Sequence, residues 1–161
     1  MVKFKLIIFL MFLTSSILYG QADNNVEIYE GRRAFFDKQV ILDLSYQGLK
    51  EVPVEATNSD IEVLILDNNN IEELPNLIGL LDNLKVLSIR NNNLKELNSA
   101  ITLCDKLEQL YLSGNKSLSD IPNLNSCKNL KIIDVIDTGI NDVPGSIHWN
   151  DNLLYFKYSK E

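Results

Sequence analysis

Apolar positions recur along the chain in a pattern that returns every 23 residues, from about residue 39 onward. Within each unit two apolar residues are separated by one residue, as at Leu64 and Leu66, which is the periodicity of a β-strand. Such a repeat predicts units that bury their apolar faces only by stacking on one another. The units open near residues 39, 61, 84, 107 and 130, and a partial unit begins at 153. The inward positions are Leu42, Leu64, Leu87, Leu110, Ile133 and Phe156, then Leu44, Leu66, Ile89, Leu112, Val135 and Tyr158.

An asparagine stands directly after the predicted strand in three successive units, as Asn69, Asn92 and Asn115. A side-chain amide both donates and accepts hydrogen bonds, so stacked amides could satisfy buried peptide groups where the chain leaves the sheet. A calcium loop is excluded by spacing, because the sixth position counted from Asp67 is Glu72 where such a loop needs glycine. The asparagines are therefore predicted to form a structural ladder.

The combined pattern L-x-x-L-x-L-x-x-N-x-L-x-x-L-P resembles the leucine-rich repeat family, in the short 23-residue form common in bacterial proteins. The resemblance begins near Val40 and runs to the end of the sequence. It implies an α/β fold, a right-handed curved solenoid with a parallel sheet on its concave face, and a usual role as a protein-binding scaffold. Four departures are expected to make their units locally irregular: Gln47 and Thr138 at the ladder position, an extra residue in "GNKSLSDIP", and Asn98 where proline is expected.

The first 38 residues differ from the repeats. Residues 1–22 combine Lys3 and Lys5, the apolar run "LIIFLMFL" and small residues, which is the order of a secretory signal peptide. A retained membrane anchor is the alternative, although the run is short for spanning a bilayer. Residues 23–38 have apolar residues at helical spacing and are predicted to form a short helical cap. The expected location is secreted, periplasmic or at the cell surface.

Charge and motif content narrow the possible functions. Removal of residues 1–20 takes away two lysines and no acid, so the formal charge moves from −7 to −9. An acidic chain argues against electrostatic binding of nucleic acid or of anionic membranes after signal cleavage. His148 is the only histidine and has no metal-ligand pattern around it. We therefore predict no catalytic residues, no metal and no cofactor, and interpret the acids Asp134, Asp137 and Asp142 as a solvated face.

Cys104 and Cys127 occupy the same position of neighbouring units. Buried free thiols are one interpretation, and a disulfide between turns of an exported protein is the other. Adjacent parallel positions hold Cβ atoms about 5 Å apart, which is longer than a disulfide prefers, so the geometry favours free thiols.

The outward strand positions are the remaining candidate for function. Exposed aliphatic residues beside tyrosine and arginine are typical of interaction sites. The predicted protein-binding face consists of Ile65, Arg90, Tyr111, Ile132, Ile136 and Tyr155. The sequence thus predicts an exported, non-catalytic, monomeric scaffold that binds another protein through its concave face. The alternative is an assembly subunit that stacks through its weakly capped C-terminal strand.

Overall fold

The computed structural model describes residues 40–145 and 151–159, which form one parallel sheet of six strands. The order of the strands in the sheet follows their order in the chain, as the stacking of successive repeats requires. The strands are β1 (Ile41–Asp43), β2 (Val63–Ile65), β3 (Val86–Ser88), β4 (Gln109–Tyr111), β5 (Ile132–Val135) and β6 (Tyr155–Tyr158). The predicted signal peptide, helical cap and His148 lie outside the described residues. Within them, no helix is long and apolar enough to cross a membrane.

The repeat register of the sequence is the register of the sheet. Leu64 pairs with Leu87 and Leu87 pairs with Leu110, so the inward column runs straight from strand to strand. These leucines are fully buried, as are Leu66, Ile89 and the other central members of both inward columns. Burying one such side chain contributes about 1.5–3 kcal/mol relative to leaving it in water. The core is therefore a continuous stack along the solenoid.

Three of the return segments carry a short 3-10 helix whose residues are all described: η1 (Val54–Thr57), η2 (Asn76–Leu80) and η3 (Ser99–Leu103). Pro53 and Pro75 precede η1 and η2 in an extended conformation, where a residue without an amide hydrogen loses nothing. The expectation that Asn98 disturbs its unit is wrong. Asn98 adopts nearly the same extended conformation, and its side chain accepts a hydrogen bond from the amide of Ala100 at the start of η3.

The unit that carries the extra residue departs from the others, in line with its sequence. Its return segment, from Ile121 to Asn129, contains no 3-10 helix in the described structure. Leu124 and Cys127 nevertheless remain buried at the positions that Ile101 and Cys104 occupy in the preceding unit. The insertion therefore changes the path of the backbone without opening the core.

Asn69, Asn92 and Asn115 join successive units through buried hydrogen bonds. The Asn92 side-chain oxygen accepts from the amide of Ile71 at 2.9 Å, and its nitrogen donates to the carbonyl of Leu66 at 3.0 Å. Asn69 and Asn115 make corresponding bonds to the unit before them. Thr138 bonds within its own unit instead, donating to the carbonyl of Val135, because its hydroxyl is too short to reach across.

The residue before each ladder position has a left-handed backbone. Asn68 and Asn91 have φ values of 56° and 52°, and Gly114 takes the same place in the next unit with φ of 78°. Asparagine and glycine enter this region at the least cost among the standard residues. The triplets of asparagine therefore contain two different signals, one for the turn and one for the ladder.

A second row of amides follows the outer edge of the solenoid. Asn83, Asn129 and Asn152 each donate to the carbonyl of a residue 24 positions earlier, in the preceding unit. Each stands immediately before the first apolar residue of a unit. These bonds link the return segments, whereas the ladder links the turns that leave the sheet.

Candidate functional site

The outward strand positions form the concave face of the sheet, and most of their side chains are half-buried among their neighbours. Val63, Val86, Gln109 and Ile132 are paired in register along one row that ends at Tyr155. Tyr155 on β6 is the most open member of this row, with 59% of its surface exposed. The row gives the face an apolar strip near the beginning of the strands.

Arg90 and Tyr111 form the centre of the face. The guanidinium carbon of Arg90 lies 4.0 Å from the centroid of the Tyr111 ring, which is a cation–π contact. The Tyr111 hydroxyl donates to the side-chain oxygen of Gln109 at 2.7 Å, which fixes the direction of the ring. A charged group and an aromatic ring are thus held against each other, with about a third of the Arg90 side chain open to solvent.

Two carboxylates hold Arg90 from opposite sides. Its guanidinium nitrogens lie 3.9 Å from Asp67 and 3.7 Å from Asp134. Asp67 also accepts hydrogen bonds from the Arg90 amide and from the Ser88 hydroxyl, at 2.8 and 2.7 Å. Because both terminal nitrogens of the Arg90 guanidinium have a nearby carboxylate, its orientation is set before any ligand arrives.

The interpretation of Asp134 as part of a solvated acidic face is wrong. Asp134 is 8% exposed and Ser88 is 4% exposed, although both occupy outward positions of their strands. Arg90 reaches Asp134 with its guanidinium and approaches the Ser88 hydroxyl at 3.4 Å, so both residues belong to its cluster rather than to open surface. One feature of the sequence pointed to this cluster: Asp67 and Arg90 have opposite charges at equivalent positions of adjacent units.

The six residues of the predicted face do not form one continuous cluster. Arg90 contacts Tyr111, and Ile132 pairs in register with Tyr155. Ile65 lies two strands from Tyr111, in the same row, with Ser88 between them. Ile136 follows the end of β5 and is 39% exposed. The face therefore contains a polar–aromatic centre and an aliphatic–aromatic pair toward β6.

Cys104 and Cys127 are buried under η3 and the following return segment, and no disulfide joins them. The Cys104 thiol approaches the carbonyl of Ile78 at 3.3 Å. Burial away from water raises the pKa of Cys104 to about 12 and also raises the pKa of Cys127. Neither thiol is a nucleophile at neutral pH, because the thiolate is the reactive form.

No group of histidine, cysteine and carboxylate side chains among residues 40–145 and 151–159 is arranged to hold a metal ion. The concave face presents a fixed cation, a planar ring and aliphatic side chains around them.

Comparison with known proteins gives a consistent result. The family model described as leucine rich repeat matches residues 59–116. A solved structure of internalin C2 from Listeria monocytogenes is 32% identical, with a TM-score of 0.65, over 74% of this chain and 51% of that one. A leucine-rich repeat protein of Leptospira interrogans is 25% identical, with a TM-score of 0.49, over 70% of this chain and 41% of that one. This chain thus spans about half the length, or less, of these two structures, and no curated protein matches it.

The family model and the internalin C2 structure agree with the repeat register and with the six parallel strands in chain order. The chain belongs to the leucine-rich repeat family.

Proposed function

We propose that the protein is an exported, non-catalytic scaffold that binds another protein through its concave face. The observation that carries the proposal is the Arg90–Tyr111 pair, held between Asp67 and Asp134 in the middle of the sheet. Arginine and tyrosine are enriched at the residues that dominate binding energy, and a fixed orientation lowers the entropy lost on binding.

The apolar strip beside this pair supports a protein as the ligand. Val86, Ile132 and Tyr155 extend the contact area on both sides of the central residues, at a strand spacing of about 4.8 Å. A partner with an aromatic or aliphatic anchor could cover the strip, while its acceptor groups meet the open part of Arg90. The matching partner surface is therefore mixed, with an apolar centre and a carboxylate or carbonyl acceptor.

The proposal that the protein is exported rests on the order of charged, apolar and small residues over residues 1–22. Intact-mass measurement of the protein from its native host should show these residues removed. A full-length cytoplasmic species would overturn this part of the proposal and leave the binding face unaffected.

The binding proposal is tested with two tyrosine substitutions. Tyr111→Ala removes the ring that Arg90 stacks on and should reduce capture of the native partner by at least about tenfold. Tyr46→Asn is the matched control, because Tyr46 is 78% exposed in the turn after β1 and asparagine tolerates its left-handed backbone. Equal capture by both variants would contradict binding through the concave face.

One observation favours assembly through the last strand as a second candidate. Phe156 and Tyr158 continue the two inward columns on β6 but are only partly buried, and Leu154 beside them is 67% exposed. An added strand from another subunit would cover them. Lys157→Glu, on this strand, should then change the sedimentation coefficient of the protein, whereas Tyr111→Ala should not. Under the scaffold proposal neither substitution alters it.

A further inference from the structure

The return side of the solenoid carries exposed aliphatic residues that the repeat pattern does not require. Val54, Leu77, Leu80 and Leu103 are between 41% and 64% exposed, and all lie on η1, η2 or η3. We call these four residues the return-side patch. It faces away from the concave sheet and contains none of the residues in the proposed binding face.

The geometry of a 3-10 helix explains why these side chains emerge together. Residues three apart eclipse each other in such a helix, so Ile78 and Leu81 share the inward row and are fully buried. Leu77 and Leu80 share the adjacent row and point outward. The core is satisfied by the first row alone, and the second row is free to be polar. Its two leucines therefore need an explanation other than packing.

Helices η2 and η3 pack closely enough to join their parts of the patch. A Cβ placed on Gly79 would lie 2.9 Å from the Leu103 side chain and 2.8 Å from the Ala100 carbonyl. Leu103 thus lies over the gap that Gly79 leaves in η2. Glycine at this position brings η3 against η2 and joins their outer rows into one apolar surface.

Carboxylates border the patch. Glu55 lies on η1, and Asp82 and Asp105 follow η2 and η3 by two residues. All three are exposed, and none forms an ion pair with another described residue. The border therefore carries carboxylates that no cation in the described part of the chain pairs with at salt-bridge distance.

The exposed aliphatic row and the acidic border both end at the same unit. One repeat after Ala100 and Leu103, the sequence has Asn123 and Ser126, and one repeat after Asp105 it has Lys128. Aliphatic residues and acids thus stop together, although the core continues through Leu124 and Cys127. A shared boundary is what a ligand of limited length would require.

We propose that the return-side patch is a second docking surface, and that it binds an amphipathic segment of a partner protein that carries lysine or arginine beside leucine-like side chains. The aliphatic residues would supply the buried contact, and the acidic border would select a basic segment over an acidic one. This inference is independent of the concave face, so either can fail alone.

A synthetic peptide tests the surface directly. The probe is a fluorescent helical peptide of about 15 leucine and lysine residues with one apolar face, and its controls are a leucine–glutamate peptide and a scrambled leucine–lysine peptide. Anisotropy titration of the full chain should show binding of the first peptide that weakens as salt rises. Hydrogen exchange should slow at residues 76–82 and 99–105 and stay unchanged in the strands.

Substitutions assign the site. Leu80→Asp with Leu103→Asp should weaken peptide binding at least about tenfold, and Asp82→Lys with Asp105→Lys should weaken it by a similar factor. Asn123→Asp is the matched control, because it adds a charge one unit away and keeps the oxygen that accepts from the amide of Asn125. That variant and Tyr111→Ala should bind as the unchanged chain does.

Four results would overturn the proposal. The first is equal binding of the leucine–glutamate peptide, and the second is unchanged peptide binding by the Leu80→Asp, Leu103→Asp variant. The third is a dimer of the unchanged chain that this variant abolishes, which would assign the patch to a second copy. The fourth is a fall of several degrees in melting temperature in the same variant, which would show that the chain covers the patch itself.

Discussion

The Arg90 guanidinium stacks on the ring of Tyr111 at 4.0 Å and is shared between Asp67 on one side and Asp134 on the other. These four residues come from four separate turns of the solenoid, so no local segment could assemble them. The stacked register of the repeats places them together, and the site is therefore only as rigid as the core beneath it.

The first prediction is that the buried carboxylate of Asp134 depends on the charge of Arg90 for its stability. Arg90→Met should cost about 1–2 kcal/mol in the free energy of unfolding, because it leaves the buried Asp134 carboxylate without a cation. The same substitution should cost less in an Asp134→Asn background, which urea melts of the double-mutant cycle would measure. Lys131→Met, which breaks an exposed pair with Glu108, is the control and should cost under about 1 kcal/mol. Additive losses for Arg90 and Asp134 would show that the two do not interact.

The second prediction separates the residues of one asparagine triplet. Asn92→Leu should cost about 1–3 kcal/mol, because the amide of Ile71 and the carbonyl of Leu66 lose their buried partner. Asn91→Ala should also cost about 1–2 kcal/mol, since alanine is strained at φ of 52°. Asn93→Ala, at an exposed position, should cost little. Chemical denaturation of the three variants measures this order, and equal losses would refute the division of roles.

A third prediction compares two glycines with similar backbones. Gly48 and Gly114 have φ of 66° and 78°, so alanine is strained at both. A Cβ on Gly48 would meet nothing within 4 Å, whereas one on Gly114 would collide with the side chain and amide of Asn91. Gly114→Ala should therefore lower the melting temperature clearly more than Gly48→Ala. Similar changes in melting temperature for the two variants would mean that the loop around Asn91 moves to accommodate the added methyl group without loss of stability.

The sequence predicted the features that repeat and missed those that occur once. Leu64, Leu87 and Leu110 showed both strand and register because stacking imposes the same requirement on every unit. The burial of Asp134 could not be predicted, because it depends on the length and direction of the Arg90 side chain, which comes from two units earlier. The exposure of Leu80 and Leu103 is hard to predict for a related reason: the 3-10 period that exposes them appears only in a short return segment. The prediction for Asn98 is wrong because an amide cap replaces proline there at nearly the same backbone conformation.

The fourth prediction uses the two buried thiols as a probe of core packing. Thiol labelling of the folded protein at pH 8 without reductant should fail, because Cys104 and Cys127 are buried and their raised pKa values keep them protonated. Labelling after unfolding should modify both cysteines. Failure in denaturant as well would mean that they form a disulfide.

The same shift predicts how stability responds to alkaline pH. The pKa of Cys104 is about 12 in the folded protein, against 9.0 for an unperturbed thiol. Below pH 9 both states keep the proton and the stability is unaffected, whereas between pH 9 and 12 the unfolded state loses the proton first and becomes favoured. Stability should therefore fall as pH rises through this window. Alkaline pH acts on the rest of the protein as well, so the comparison is with a Cys104→Ala, Cys127→Ala variant. That variant should be less stable at pH 7 but should lose less on going to high pH. If the stability of the two proteins falls equally with pH, the burial of the thiols does not raise their pKa values.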